Sequence, residues 1–312
     1  MSERQSAAAV LMVRPAGFGF NEQTAASNEF QRRPAGAADA GQRAALLEFD
    51  ALAAQLRAAG VQVLVGEDTP APAKPDAVFP NNWLSLHADG TLVLYPMLAP
   101  NRRLERREAL IQFVREAGGF RITRSIDLTW HESQGRFLEG TGSLVLDRPA
   151  RIAYAVRSPR TDPTVLAEFA QLLDYQVVSF DSLGPDGQPV YHTNVVMAVG
   201  TAFAVLCVES IPDSAQRAAV LASLRGAGRE VIEITAAQMQ DFAGNLLELS
   251  APRGPLIAIS ARAWEALRPA QRAQLERFGQ VLPASIPTIE RLGGGSVRCM
   301  LAEIHLPRVE VA

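Results

Sequence analysis

The 312-residue chain is poor in several features that would place it in a broad class at once. It has two cysteines, too few for a disulfide scaffold and in keeping with a reducing compartment. Aromatic residues make up 6% of it, and the formal net charge is −3 with no block of lysine or arginine. The footprint of a nucleic-acid-binding protein is therefore missing. No window approaches the roughly 18 consecutive apolar residues that span a bilayer. The short apolar run 7–13 ends in Arg14-Pro15-Ala16-Gly17 with no small-residue cleavage pattern, so it reads as a first strand rather than an export signal. A cytoplasmic protein with no membrane or nucleic-acid partner is expected. No Cys, His and carboxylate cluster has metal-ligand spacing, and Gly293-Gly294-Gly295 is not followed by Lys-Ser/Thr, so neither a metal nor a phosphate-binding loop is expected.

What is there is ordinary in bulk: 48% apolar and 20% charged residues, enough to bury a substantial core. Short apolar runs alternate with amphipathic stretches. The pattern predicts strands over 10–13, 61–65, 92–95, 144–146, 152–155, 176–180, 195–199, 202–208, 230–234, 246–250, 256–260, 280–282 and 298–305. It predicts helices over 41–59, 103–117, 164–173, 214–227, 236–242 and 261–277. Hairpin-length gaps at Gly200-Thr201 and Pro252-Arg253-Gly254 predict mixed sheets rather than one doubly wound parallel sheet. The alternation recurs about five times without a linker, which predicts one α/β domain over 1–312 made of ββαβ-like units. The cluster Arg102, Arg103, Arg106 and Arg107, interleaved with Glu105 and Glu108, reads as an exposed helix face.

Four settings could carry chemistry. Cys299 follows a glycine-rich bend, where glycines allow positive φ and close approach of a ligand to the backbone. Exposed amides and Arg298 could favour a thiolate there, although a free cysteine is more often a buried structural one. Cys207, inside the apolar run 202–208, fits that blander reading. His192 leaves the turn Gly184-Pro185-Asp186-Gly187 and opens a strand, a usual place for an acid–base group and equally for a satisfied histidine. Glu139, in Leu138-Glu139-Gly140-Thr141-Gly142, is an acid that turn chemistry does not explain. Asp76-Ala77-Val78-Phe79-Pro80-Asn81-Asn82-Trp83 is either a turn or a set of polar groups lining a small-molecule pocket. His131-Glu132 is expected on a loop near the site.

Taken in this order, the segments resemble the guanidino-group-modifying superfamily of arginine deiminases, dimethylarginine hydrolases and amidinotransferases. The resemblance runs over 14–307, and Gly-Gly-Gly-Ser-Val-Arg-Cys-Met is its most specific element. The Phe-Pro-Asn-Asn-Trp segment is similar to that of amidinotransferase-related bacterial proteins of citrulline utilisation. The resemblance implies a five-fold pseudosymmetric α/β propeller (a pentein), with Cys299 as nucleophile, His192 as general acid and base, and Glu139 supporting the histidine. It further implies substrate contacts from Asp76, Asn82, Asn194 and Asn245, and carboxylate clamps at Arg102 and Arg160, from the patterns Met97…Arg102…Glu105 and Ser158-Pro159-Arg160-Thr161. No cofactor is implied. Arginine deiminases carry aspartates where this chain has Asn82 and Asn194. A buried guanidinium without carboxylates costs several kcal/mol, about 3 or more, whereas a neutral ureido group needs only amide partners. The expectation is a cysteine-dependent C–N hydrolase of citrulline, as a monomer or homo-oligomer. The alternatives are an arginine or dimethylarginine hydrolase, an amidinotransferase, and a non-catalytic amino-acid-binding protein on the same fold.

Overall fold

The computed structural model describes residues 3–33 and 38–309. Its strands fall into five sheets of three. The first sheet complete in the chain joins β3 (Leu84–Leu86), β4 (Thr91–Leu94) and β5 (Arg124–Asp127). The next joins β6 (Val145–Asp147), β7 (Ile152–Val156) and β8 (Gln176–Phe180). Then come β9 (Met197–Val199), β10 (Phe203–Leu206) and β11 (Glu230–Glu233), followed by β12 (Leu247–Ala251), β13 (Gly254–Ser260) and β14 (Gln280–Ala284). The last is assembled from both ends of the chain, with β1 (Ala9–Arg14) between β15 (Ala302–Glu303) and β2 (Gln62–Glu67).

Every sheet has the same internal logic. The middle strand pairs antiparallel with one neighbour, as in Leu84↔Leu94 or Ala251↔Gly254, and parallel with the other, as in Leu92↔Ser125. A tight turn can join only the antiparallel pair; the parallel partner needs a crossover. Helices supply it: Ala38–Ala58 leads to β2, Glu108–Glu116 to β5, Pro163–Leu173 to β8, Ser214–Gly226 to β11 and Pro269–Glu276 to β14. The ββαβ-like units and mixed sheets expected from the spacing are thus present. Their apolar faces meet in the core: Val10, Phe49, Leu52 and Leu56 pack with Ile289, and Phe203, Val205, Val220 and Leu224 pack with Ile257. Truncating a fully buried leucine such as Leu56 to alanine should cost about 2–5 kcal/mol.

Several boundaries differ from the expectation. The helix expected over 261–277 is two, Ala261–Ala266 and Pro269–Glu276, because proline has no N–H to continue the first helix and instead starts the second. The helix expected over 103–117 is Pro100–Arg103 and Glu108–Glu116, separated where Arg102 and Glu105 turn inward. The latter pair is buried, so the arginine cluster is not simply an exposed face. The strands expected over 195–199 and 298–305 both begin as helical turns, Thr193–Val196 and Val297–Met300. β3 and β5 were not foreseen, being short and, in β5, mostly polar.

Those turns matter for the site. One helical turn precedes the first strand in four units: Pro80–Asn82 before β3, Gly140–Ser143 before β6, Thr193–Val196 before β9 and Val297–Met300 before β15. In the remaining unit Asn245 sits just ahead of β12.

Candidate active site

The helix Pro287–Gly293 ends at Gly294, whose φ of +64° is a left-handed cap that glycine adopts freely. The chain then doubles back closely: a Cβ on Gly295 would sit 3.3 Å from the Cβ of Cys299 and 3.0 Å from the Phe79 ring. Cys299 is left on the following turn, 3% exposed. Two amides donate to its sulfur, Asn245 Nδ2 at 3.4 Å and Asn194 Nδ2 at 3.5 Å. Asn245 is fixed for that task, since its Oδ1 accepts from the Arg298 N–H at 3.1 Å and its Nδ2 also donates to the Asn194 carbonyl at 2.8 Å. N–H donors converging on sulfur stabilise its anionic form.

His192 caps the turn Thr193–Val196, and its Nε2 lies 2.9 Å from Glu139 Oε2. Glu139 caps the equivalent turn Gly140–Ser143 one unit earlier. The turns are stitched together by Thr193 Oγ1, which accepts from the Val156 N–H at 2.8 Å and donates to the Ser143 carbonyl. Burial alone would push the Glu139 carboxyl up, but Arg160, the His192 hydrogen bond and Arg102 together hold it well below the usual carboxylate range. Burial pulls the imidazole of His192 down to about 4, with Glu139 opposing and Arg160 and Arg102 assisting. At neutral pH the free site therefore holds a neutral imidazole beside a carboxylate.

Arg102 is buried and heavily engaged. Its Nε and Nη2 each reach Glu105 at 2.9 Å, Nη2 also reaches the Phe79 carbonyl at 3.2 Å, and Nη1 donates to Asn82 Oδ1 at 2.9 Å. Burial raises the carboxyl of Glu105 to about 7 against the opposing pull of Arg102. Arg160 is held by lighter contacts: Nη2 donates to Ser27 Oγ at 2.8 Å and the Thr24 carbonyl at 3.3 Å, Nη1 to Glu139 Oε2 at 3.3 Å, and the fork lies over the Tyr191 ring. Asp76 Oδ2 accepts from Asn21 Nδ2 at 2.7 Å, while its buried Oδ1 has no partner.

Asp76, Asn82, Arg102, Arg160, His192 and Cys299 line one pocket. The fold brings these residues together there, with Glu139 immediately behind His192. Three placements differ from the sequence expectation. The fork of Arg102 is already taken by Glu105, so Arg102 is not free as a bidentate carboxylate clamp. Asn245 and Asn194 do not line the pocket; their amides back the sulfur instead. His131 is bonded to Glu168 at 2.7 Å and does not line the pocket, and Glu132 is paired with Arg106. Cys207 is buried in the core, as its run suggested.

Sequence reasoning missed Asn28 and Tyr191, which also line the pocket. Asn28 Nδ2 donates to the Gly293 and Gly294 carbonyls, and Tyr191 OH donates to the Gly294 carbonyl at 2.5 Å, so both brace the bend that carries Cys299. Tyr191 had a signal in its position next to His192; Asn28 had none. The groups leave only about 10 Å³ between them, the space of a single water. An amino acid needs more room than this, so groups lining the pocket must part for one to enter. Among the described residues, no group of three or more His, Cys, Asp or Glu side chains could hold a metal ion, and no helix is long and apolar enough to cross a membrane.

A family model described as N,N dimethylarginine dimethylhydrolase, eukaryotic, matches residues 14–306. No curated protein matches by sequence. Among solved structures, the N-terminal domain of ArgZ covalently bound to a reaction intermediate superimposes with a TM-score of 0.72 at 18% identity, covering 96% of this chain and 99% of that one. Full-length ArgZ, an arginine dihydrolase from the ornithine-ammonia cycle in cyanobacteria, gives 0.74 at 18% identity and 96% coverage of this chain. This chain spans 41% of that protein's length. A dimethylarginine dimethylaminohydrolase carrying an adduct with S-methyl-L-thiocitrulline gives 0.66 at 15% identity, covering 97% of this chain and 100% of that one. At these identities the likeness shows the fold.

Proposed function

That this chain belongs to the N,N-dimethylarginine dimethylhydrolase family, within the guanidino-group-modifying superfamily, is the premise from which we propose that it hydrolyses citrulline. The family makes it a hydrolase of non-peptide C–N bonds; the substrate and the residue roles are our inference. Its support is the state of two amides. Asn82 Oδ1 is taken by Arg102, a donor only, so its unpartnered Nδ2 is left toward the pocket; Asn194 gives Nδ2 to the sulfur and keeps a buried, unpartnered Oδ1. The Asn82 donor suits the C=O of a ureido group, while Asn194, outside the pocket lining, holds the sulfur. Asp76, with its free Oδ1, suits the α-ammonium, and Arg160 suits the carboxylate once Ser27 and Thr24 withdraw.

In the mechanism that follows, neutral His192 takes the proton of Cys299, and the imidazolium is stabilised by Glu139. The thiolate attacks the ureido carbon. The bond from that carbon to the δ-nitrogen breaks, His192 returns its proton to the departing nitrogen, and ornithine leaves an S-carbamoyl enzyme. His192 then deprotonates a water that attacks the same carbon; carbamate departs and decays to CO2 and ammonia. The amides of Asn194 and Asn245 hold the sulfur when it attacks and when it is released.

The five sheets are read as blades of a five-fold pseudosymmetric α/β propeller forming one catalytic domain. The support is their shared strand logic and the placement of Asn82, Glu139, His192, Asn245 and Cys299 ahead of the first strand in their respective units. The terminal residues 1–2 and 310–312 of that domain lie outside the described residues. The two free cysteines accord with a cytoplasmic setting.

A second reading is favoured by the unpartnered Asp76 oxygen, which could instead face a guanidinium, making the substrate arginine or a methylated arginine. Incubation of the purified chain with citrulline, arginine, methylated arginines, agmatine and carbamoyl-putrescine, with products read by mass, separates the two. Ornithine and ammonia from citrulline are expected. Turnover of arginine with none of citrulline sinks the neutral-head reading.

A further inference from the structure

The first strands of the units connect the Cys299 pocket to a second cavity of about 720 Å³ that shares no lining residue with it. Asn82 precedes β3 and His87 follows it; Glu139 precedes β6 and Arg148 follows it; Cys299 precedes β15 and His305 follows it. His87, Arg148 and His305 all line the second cavity. At about 3.3 Å per residue, a strand of this length separates its two ends by roughly 10 Å.

The second cavity is rich in positive charge. Four guanidinium groups line it, from Arg4, Arg148, Arg151 and Arg308, against the carboxylates of Glu3 and Asp89. Glu3 is divided between two of them, accepting from Arg148 Nη1 and from Arg151 Nη1, each at 3.0 Å. Asp89 accepts from the Thr91 N–H at 2.9 Å. Arg4 is exposed. His87 is 2% exposed; its Nε2 bonds Ser85 Oγ at 2.7 Å and its Nδ1 has no partner. Burial and the charge of Arg148 hold His87 and His305 below the usual imidazole range, so these rings meet a ligand as neutral groups.

We propose that this cavity is an effector site for a small organic anion with at least two carboxylate or phosphate groups, bound by Arg4, Arg148 and Arg151 with His87 Nδ1 as a neutral partner. Planar guanidinium forks recognise either oxyanion bidentately, and the four guanidinium groups still outnumber the carboxylates of Glu3, Asp89 and, behind Arg148, Glu303, which selects negative charge. Nothing in this assignment depends on citrulline being the substrate.

The site is wired to the nucleophile through Glu303. Its Oε1 lies 3.6 Å from Arg148 Nε and 3.1 Å from His305 Nε2, and its Oε2 accepts from Arg298 Nη2 at 2.7 Å. Arg298 immediately precedes Cys299. An anion drawn to Arg148 loosens that arginine's hold on Glu303, and its own charge lowers the positive potential reaching the sulfur. Attack by the Cys299 sulfur is then slowed, and the ligand inhibits.

The test is calorimetric titration of the full chain with citrate and, separately, with inorganic pyrophosphate, joined to the rate of Cys299 alkylation by iodoacetamide. Expected are one-site saturation below about 10 mM for at least one anion and a loss of about tenfold or more in affinity in the double variant Arg4→Glu, Arg151→Glu. Arg4→Glu alone, at an exposed position, gives a smaller loss in a chain whose thermal unfolding is unchanged. Binding persists in Cys299→Ser, and saturating anion slows alkylation severalfold in the unaltered chain. Absence of saturation with both anions, or equal affinity in the charge-reversed chains, overturns the site. Binding that leaves alkylation untouched overturns the link through Glu303.

Discussion

Arg102 donates from Nη1 to Asn82 Oδ1 at 2.9 Å, and this bond decides which end of the amide faces the pocket. Because a guanidinium can only donate, the carbonyl of Asn82 must point toward it and the NH2 toward the substrate. An aspartate at this position would present acceptors on both sides. Asn82→Asp should therefore lower kcat/KM for citrulline by about 10- to 100-fold, the cost of a lost donor and an unmatched acceptor, while penalising arginine less. The measurement is the citrulline-to-arginine ratio of kcat/KM; a ratio that does not move toward arginine contradicts the role given to Asn82.

Glu139 touches His192 at 2.9 Å and Arg160 at 3.3 Å, and lies 3.9 Å from Arg102. Glu139→Gln removes the charge that stabilises the imidazolium formed in the reaction, so kcat should fall about 10²- to 10⁴-fold. It also leaves the buried guanidinium of Arg160 without its carboxylate partner, while Arg102 keeps Glu105, so stability should drop by about 3 kcal/mol. The two effects separate in Glu139→Asp, which restores the charge balance while misplacing the oxygen against His192: stability largely recovers and kcat only in part. Equal recovery of both would show that Glu139 serves the fold alone.

Much of this arrangement was legible in the sequence because glycine and proline mark where the chain must bend. The bend at Gly294 announced Cys299, and Gly140 with Gly142 marked Glu139 as more than a surface acid. The alternation of apolar runs revealed the repeated units, since each short strand needs its own crossover helix. The functions of Asn194 and Asn245 were not legible: whether an asparagine faces a pocket or a sulfur depends on partners about fifty residues or more away. Nor was Glu105, whose charge pattern with the surrounding arginines is that of a solvated helix, yet whose carboxylate occupies the fork of Arg102 inside the protein. The Asn28 contacts to Gly293 and Gly294 join segments from opposite ends of the chain, and no local pattern anticipates such a meeting.

Acid should weaken the fold earlier than in most proteins. The pKa of His192 falls from 6.5 to about 4 on folding, and burial shifts His87 and His305 in the same direction. Above pH 6.5 these rings are neutral in both states, so the full stability is present there. Below it the unfolded chain takes up protons that the folded chain refuses, and stability is lost as pH falls toward 4. Glu139 and Glu303, both held below the usual carboxylate range, continue the loss at lower pH. Urea midpoints measured from pH 7.5 to pH 4 should decline, and His192→Gln should flatten part of the slope. A midpoint that stays level across that window would contradict neutral burial of these histidines.

Gly142 separates the two halves of the site, and its lack of a side chain is what lets them meet. A Cβ at this position would fall 2.7 Å from Nδ1 and Cε1 of His192 and closer still to Asn82 Nδ2. Its φ is not positive, so alanine can adopt the backbone there and the damage should come from the contact alone. In Gly142→Ala the imidazole must tilt away from Glu139 or the amide must move from Arg102. Displacements of about 1 Å in such a constellation cost about 100-fold in rate. The expected result is a kcat lowered by about that factor. The far-UV spectrum should be unchanged, and Cys299 should stay reactive toward iodoacetamide because Asn194 and Asn245 still hold the sulfur. Full activity in this variant would mean that His192 and Asn82 do not act from the positions they occupy here.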